Sequence, residues 1–357
     1  MPENKSFSFT DTLFSKGVAT CLLLMHHLFY EKSYPFSPFL GRSVWVDIAA
    51  VGKVCVGIFL ILSGFGLTKS FERKHETGFR FALKHIGKLY AEFLFVFFLS
   101  LIPLFFDFNG QNFISVWGRE WCKPFVINMS GLQYFWNEWG YNPTWWFMSL
   151  ILGLYALFPL LYAAIIKYGV NFLFLCFVLS FVPVSVPVLS VLSPWIFAFV
   201  TGIFFARHTI FEKIKNTGVP TKLSCIIFTA GLVYIRLRIL KNLLPYSAAG
   251  SLTGADVFLA LSIMATGFLY TPPRNIQLTK AFNALVFIGK HSMNIFLIHT
   301  FFLIYFRDFV YAPKYPPLIF LLFLGLSLSA SVLIERLKRI LMKGARFLYK
   351  RQPTDAA

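Results

Sequence analysis

Two imidazoles stand side by side in the apolar run K-G-V-A-T-C-L-L-L-M-H-H-L-F-Y, at His26 and His27. Imidazole accepts a proton near neutral pH, so either ring suits a base that activates a hydroxyl such as a sugar's. Neighbouring positions on a helix point about 100° apart, so the two rings cannot share one task equally. A third imidazole, His299, lies in F-I-G-K-H-S-M-N-I-F-L-I-H-T, with the polar Asn294 shortly before it. An ionisable group inside a bilayer is costly, which makes each of these a candidate for function. The plainer reading is structural: His26 and His27 rest at an interface, and His299 is hydrogen-bonded between helices. His75, His85, His208 and His291 sit beside Lys or Arg in loops or at helix ends and read as solvated.

Other charged and polar groups invite the same two readings. Lys53 needs a partner or water. Ser63-Gly64, in I-F-L-I-L-S-G-F-G-L, has the small residues that let membrane helices approach closely, and its flanks are not those of a nucleophile elbow. The stretch Lys84-His85-Ile86-Gly87-Lys88 could hold phosphates of an acyl donor through charge-assisted hydrogen bonds, or could simply flank a membrane span. Arg236, Arg238 and Lys241 either snorkel to an interface or line a polar cavity. Four of the five cysteines fall in apolar runs without C-x-x-C spacing, so neither disulfides nor a metal cluster is expected.

The elements that position these groups are membrane helices. Of 357 residues, 57% are hydrophobic and 13% charged, and the mean hydropathy is +0.68. Soluble domains carry roughly 25% charged residues. The apolar runs are about 18–22 residues long, enough to cross the hydrocarbon core as helix. The fold expected is all-α and polytopic, with about ten transmembrane helices: 12–30, 46–68, 86–106, 145–166, 172–188, 192–206, 223–240, 252–270, 284–306 and 317–337. Pro183, Pro187 and Pro194 interrupt the fifth and sixth. One membrane domain, residues 1–345, precedes a basic and polar tail at 346–357. A polar start holding Glu3 and Asp11, with no small-residue cleavage site, argues for a retained first helix rather than a signal peptide.

The net charge of +18 reads as topology rather than nucleic-acid binding. Residues 69–88 hold six Lys/Arg against two acids, 207–222 four against one, and 335–357 seven against two. Residues 107–143 hold two basics against three acids. With ten spans the three basic segments share one side, which places both termini in the cytoplasm. The segment 107–143 is rich in Trp and Tyr and continues into Trp145 and Trp146; it suits an interfacial or re-entrant element, or a stacking platform for a sugar.

Four motifs, in this order, resemble the acyltransferase family 3 membrane proteins. K-G-V-A-x-x-x-x-x-x-x-H, residues 16–27, is similar to that family's R-G-x-A…H element. V-G-K-V-C-V-G-I-F-L-I-L-S-G-F-G-L, residues 51–67, is similar to its F-F-x-x-S-G-F stretch. W-W-F-M-S-L-I-L-G-L-Y-A-L-F-P-L-L, residues 145–161, resembles its W-F-L…Y…P-L-L helix. I-G-K-H-S-M-N-I-F-L-I-H, residues 288–299, resembles G-K-x-S-x-x-I-Y-L-x-H.

The resemblance implies a multi-pass protein of the inner or plasma membrane that moves an acyl group, most simply acetyl, from acetyl-CoA to a glycan hydroxyl. It places His27 on the catalytic histidine. His26, His299, Asn294, Trp145, Trp146, Arg236 and Arg238 become candidates to support it or bind substrate, and Lys16, Lys84 and Lys88 to bind the donor. It implies no metal and no cofactor beyond acetyl-CoA as co-substrate. The partners are membrane lipids, the acyl-CoA donor and a glycan or lipid-linked glycan, with no nucleic acid. The chain departs from the family pattern at Lys16, Lys84 and Lys88, where arginine is usual, at Gly57, where Asp is common, and over 149–155, which lacks a Glu. Lysine lacks the bidentate fork of arginine, so any phosphate would meet point charges. A transporter or flippase for a glycan or lipid-linked precursor also fits ten spans with buried polar groups. So does a membrane sensor or assembly partner with degenerate chemistry.

Overall fold

A computed structural model describes residues 6–31, 35–37, 39–74, 76–106, 111–138, 140–240, 253–269 and 276–350. The protein is 82% helical, with no strand among the described residues. The helices are α1 (Phe9–Phe29), α2 (Arg42–Gly52), α3 (Cys55–Glu72), α4 (Gly78–Ser100), α5 (Ile102–Phe105), α6 (Phe113–Trp117) and α7 (Cys122–Met129). A 3₁₀ turn (Gln133–Trp136) leads to α8 (Trp146–Tyr168), α9 (Val170–Leu179), α10 (Pro187–Arg207), α11 (Ile210–Lys215) and α12 (Val219–Tyr234). After a π-helical turn (Ile235–Leu240) come α13 (Thr253–Leu269), α14 (Ile276–Lys290), α15 (Ser292–Tyr305), α16 (Arg307–Tyr311) and α17 (Pro316–Lys350).

By length and composition, six helical stretches among the described residues can cross a membrane: 9–29, 42–72, 78–105, 146–168, 187–207 and 316–343. A seventh arises if the bent pair α14–α15 is one span. Residues 284–306, expected as one helix, are broken at His291, where α14 and α15 meet at 78°. That break corrects the reading of His291 as solvated. The side chain is buried, and its Nδ1 pairs with Ser331 Oγ at 2.9 Å. His208 is exposed, and His85 is part-buried with Nδ1 donating to Phe81 O at 2.9 Å. His75 and Lys241 lie outside the described residues. The division expected at residue 345 falls inside α17.

The N-terminus of α1 is fixed by a capping box. Ser8 Oγ accepts from the Asp11 amide, the Asp11 carboxylate accepts from the Ser8 amide at 2.7 Å, and Lys215 binds the same carboxylate at 2.5 Å. Apolar membrane helices gain little from hydrophobic exclusion of one another, so close packing must hold them together. Glycine permits it at two crossings. A Cβ on Gly64 would lie 2.1 Å from Phe199 O, and one on Gly202 2.1 Å from Ile61 O, so α3 and α10 touch backbone to backbone. The Ser63-Gly64 step is therefore a packing site. Gly17 and Gly289 join α1 to α14 in the same way, a Cβ on Gly289 falling 1.8 Å from Leu13 O.

In the aromatic segment before α8, Trp121 and Trp136 are exposed while Trp117 turns inward. Trp117 is buried, its ring 5.0 Å from Tyr141 and 5.3 Å from Phe125. Tyr141 donates to Ser100 O at 2.8 Å. These contacts tie the segment onto α4 and hold the start of α8 in place.

Candidate active site

The last turn of α1 carries His26 and His27. The end of α2 lies directly on that turn: a Cβ on Gly52 would be 2.5 Å from Leu22 O and 3.0 Å from His26 Cβ. This approach lets His26 Nδ1 donate to Ala49 O at 2.8 Å. The carbonyl partner assigns the proton to Nδ1 and leaves the lone pair on Nε2.

His27 is half-buried and lines a cavity of about 190 Å³. Its walls are Leu23, Val56, Phe59, Phe147 and Phe296, with His26, Lys53, Thr144 and Trp146 as the polar or amphipathic members. Among the described residues His27 makes no hydrogen bond; its ring stands 5.2 Å from that of His26 and 5.0 Å from that of His299. His299 is fully buried on α15. Its Nδ1 faces two carbonyls of its own helix, Ile295 O at 3.0 Å and Phe296 O at 2.9 Å. Nδ1 must therefore carry the proton, which leaves Nε2 an acceptor. That Nε2 is buried and has no hydrogen-bond partner. A buried acceptor without a donor is costly, and the His27 ring packs beside this one.

A second polar group borders the cavity and was not singled out in the sequence. Asn142 Oδ1 accepts from Thr144 Oγ1 at 2.7 Å and from Thr300 Oγ1 at 2.8 Å. Both hydroxyls spend their protons there, and Asn142 Nδ2 remains a buried donor without a partner. The signal was present in Y-N-P-T-W-W, where an amide and a hydroxyl interrupt an aromatic run. Lys53, at the junction of α2 and α3, also faces the cavity.

The remaining candidates separate. Trp146 lines the cavity and packs on Trp195, ring centres 5.7 Å apart. Trp145 is fully buried and donates from Nε1 to Leu297 O at 3.0 Å, so its ring is a packing element and offers no surface to a substrate. Asn294 is turned away from His299: its Nδ2 donates to Glu335 Oε1 at 2.8 Å and its Oδ1 accepts from Lys338 at 2.9 Å. Lys338 also binds Glu92, so Asn294 belongs to a polar cluster joining α15, α17 and α4. Arg236 forks onto Asp256, Nε to Oδ1 at 2.6 Å and Nη2 to Oδ2 at 2.9 Å, with both side chains nearly buried. It is thus a buried paired group and does not snorkel; Arg238 is exposed.

At the donor end, Lys16 is half-buried on α1 and has no ionic partner among the described residues. Eleven residues separate it from His27, about 16 Å along the helix. Lys84 is paired with Glu76 at 3.2 Å, and Lys88 is exposed. The hydrogen bond from Lys84, followed by the charges of Lys84, Lys74 and Arg80, holds the Glu76 carboxyl below the usual carboxylate range. The pair therefore persists at neutral pH and is lost as pH falls through that depressed value.

No curated protein and no solved structure matches the chain. A family model described as an acyltransferase domain matches residues 14–336, a stretch that holds His27, His299, the cavity at His27 and all but the ends of the helical array. The chain belongs to the acyltransferase family 3, and is a multi-pass membrane acyltransferase.

Proposed function

We propose that the protein O-acylates a glycan, moving an acyl group, most simply acetyl, from acetyl-CoA to a hydroxyl of a cell-surface or lipid-linked sugar. The observation that carries this reading is the free imidazole of His27, aimed into an apolar cavity and backed by the unpartnered Nε2 of His299. In the reacting state we infer, His27 turns one nitrogen to His299 Nε2, which fixes the tautomer and leaves the other as base. That nitrogen takes the acceptor's hydroxyl proton as the oxygen bonds to the thioester carbonyl carbon. The C–S bond breaks, and the proton passes from His27 to the departing sulfur. Phe59, Phe147 and Phe296 keep the cavity poor in water, which limits hydrolysis of the thioester. Lys53, which lines the cavity, supplies positive charge toward the oxyanion.

The topology we propose has ten spans, both termini in the cytoplasm and the chain in the inner or plasma membrane. Beyond the six long stretches and the bent pair, it counts α9, α12 with its π-helical turn, and α13 as short spans. The loop charges support the orientation. The donor then enters from the side of Lys16, Lys84 and Lys88, and the thioester reaches His27 along the length of α1. The test is structural analysis of surface glycans from a deletion strain complemented with the wild type or with His27→Ala, both expressed at equal level in the membrane. Acylation present with the wild type and absent with His27→Ala is expected. Acylation unchanged in His27→Ala refutes the assignment.

A further inference from the structure

A second cavity, about 360 Å³, opens between α14 and α17 and shares no lining residue with the cavity at His27. Lys290, Arg336 and Arg339 line it, together with Phe287, Glu335 and the buried His291. Its charge is unbalanced. Glu335 is taken by Lys338 at 3.2 Å and by Asn294. Lys290 and Arg336 have no acidic partner among the described residues, and Arg339 reaches only the Glu335 carbonyl, at 3.2 Å. The floor is the break between α14 and α15. The flanks are apolar and outward. Leu333, Arg336 and Ile340 follow at i, i+3 and i+7 on one face of α17, and Leu333, Ile340 and Phe287 are all exposed. Uncommitted cations flanked by exposed apolar residues fit a chain-bearing anion better than a water-filled surface.

We propose that this cavity binds a phosphate group, with the two arginines as forks and Lys290 as the closing charge. The fit is best for the headgroup of an anionic phospholipid, its chains lying along Phe287 and Leu333; the phosphates of a nucleotide donor share the chemistry. The inference is independent of the acyl-transfer reading.

The test is native mass spectrometry of the full-length protein released from nanodiscs of phosphatidylglycerol and phosphatidylcholine, with coenzyme A as a separate probe. The wild type is expected to retain phosphatidylglycerol preferentially. In Lys290→Gln/Arg336→Gln/Arg339→Gln, retention is expected to fall on the order of tenfold. A control that removes the same charge elsewhere, Arg80→Gln/Lys167→Gln/Lys213→Gln, is expected to keep it. Coenzyme A binding lost in the first triple variant alone, without a lipid preference, assigns the phosphate site to a nucleotide. Equal retention of both lipids with unchanged coenzyme A binding, or equal losses in the two triple variants, overturns the proposal.

Discussion

His299 offers the sharpest test of the site, because its contribution can be separated from packing. Its Nδ1 is committed to two carbonyls, and its Nε2 is buried, unpartnered and one ring away from His27. Replacing His299 with leucine keeps the volume and removes the acceptor. The loss to expect is that of one buried hydrogen bond orienting the base, about 1–3 kcal/mol. Expressed as a rate, that is about 5- to 150-fold. It should appear in kcat for acyl transfer by the purified enzyme, with KM for acyl-CoA little changed, since the contact is made by His27 rather than by the donor. His299→Gln is the informative companion, because its side-chain amide reaches close to the position of Nε2. It should recover most of the rate, while a merely space-filling role would favour the leucine. His27→Ala should cost more than either, about 10²- to 10⁴-fold for the loss of a general base. A leucine variant with wild-type kcat, or leucine and glutamine variants equally impaired at equal stability, would show that Nε2 is not what holds His27.

The other expectations concern the scaffold and the donor end. Gly64→Ala should destabilise the α3–α10 crossing by about 1–3 kcal/mol, whereas Gly66→Ala, which meets nothing within 4 Å, should unfold within about 1 kcal/mol of the parent; thermal denaturation in detergent separates them, and equal behaviour would deny the backbone contact. Arg236→Met strands the Asp256 carboxylate and should cost about 3–5 kcal/mol, seen as lost membrane expression; Arg236→Met/Asp256→Leu should recover most of it, and failure to do so would give the arginine a role beyond the pair. Glu76→Gln frees Lys84 for the donor and should lower KM for acyl-CoA about 1.5- to 5-fold at low salt, an advantage that high salt removes. In the parent enzyme the same release should come with acid, as Glu76 protonates below the usual carboxylate range; a KM indifferent to both changes would take Lys84 out of the donor path.

What was legible in the sequence is what local chemistry dictates. Apolar runs of sufficient length announced the helices, and an unusual imidazole pair in one of them marked the candidate site. The pairing of His27 with His299 was only suggested by similar depth, because 272 residues separate the two and nothing local specifies which faces meet. The contact is set instead at Gly52, Gly17 and Gly289, where missing side chains fix how α2 and α14 lie on α1. The break at His291 was hidden for a related reason. No proline or run of glycines marks it, and hydropathy averages across it. The partners that make it tolerable, Ser331 on α17 for the imidazole and Lys338 and Glu335 for Asn294, come from a helix forty residues on.

That same break explains why two polar candidates in one motif have different fates. In G-K-H-S-M-N-I-F-L-I-H, Asn294 and His299 lie five positions apart, more than a full turn, so they face different neighbours. Asn294 is drawn to the charges of α17, where it bridges Lys338 and Glu335. His299 has no side-chain donor within hydrogen-bonding distance, satisfies its Nδ1 on its own backbone, and keeps Nε2 for α1. The motif therefore works at two ends of α15. Its first half, tied to α4 and α17, sets the depth of the helix. Its second half then packs the His299 ring beside that of His27. A substitution at Asn294 should consequently disturb stability before chemistry, and one at His299 chemistry before stability.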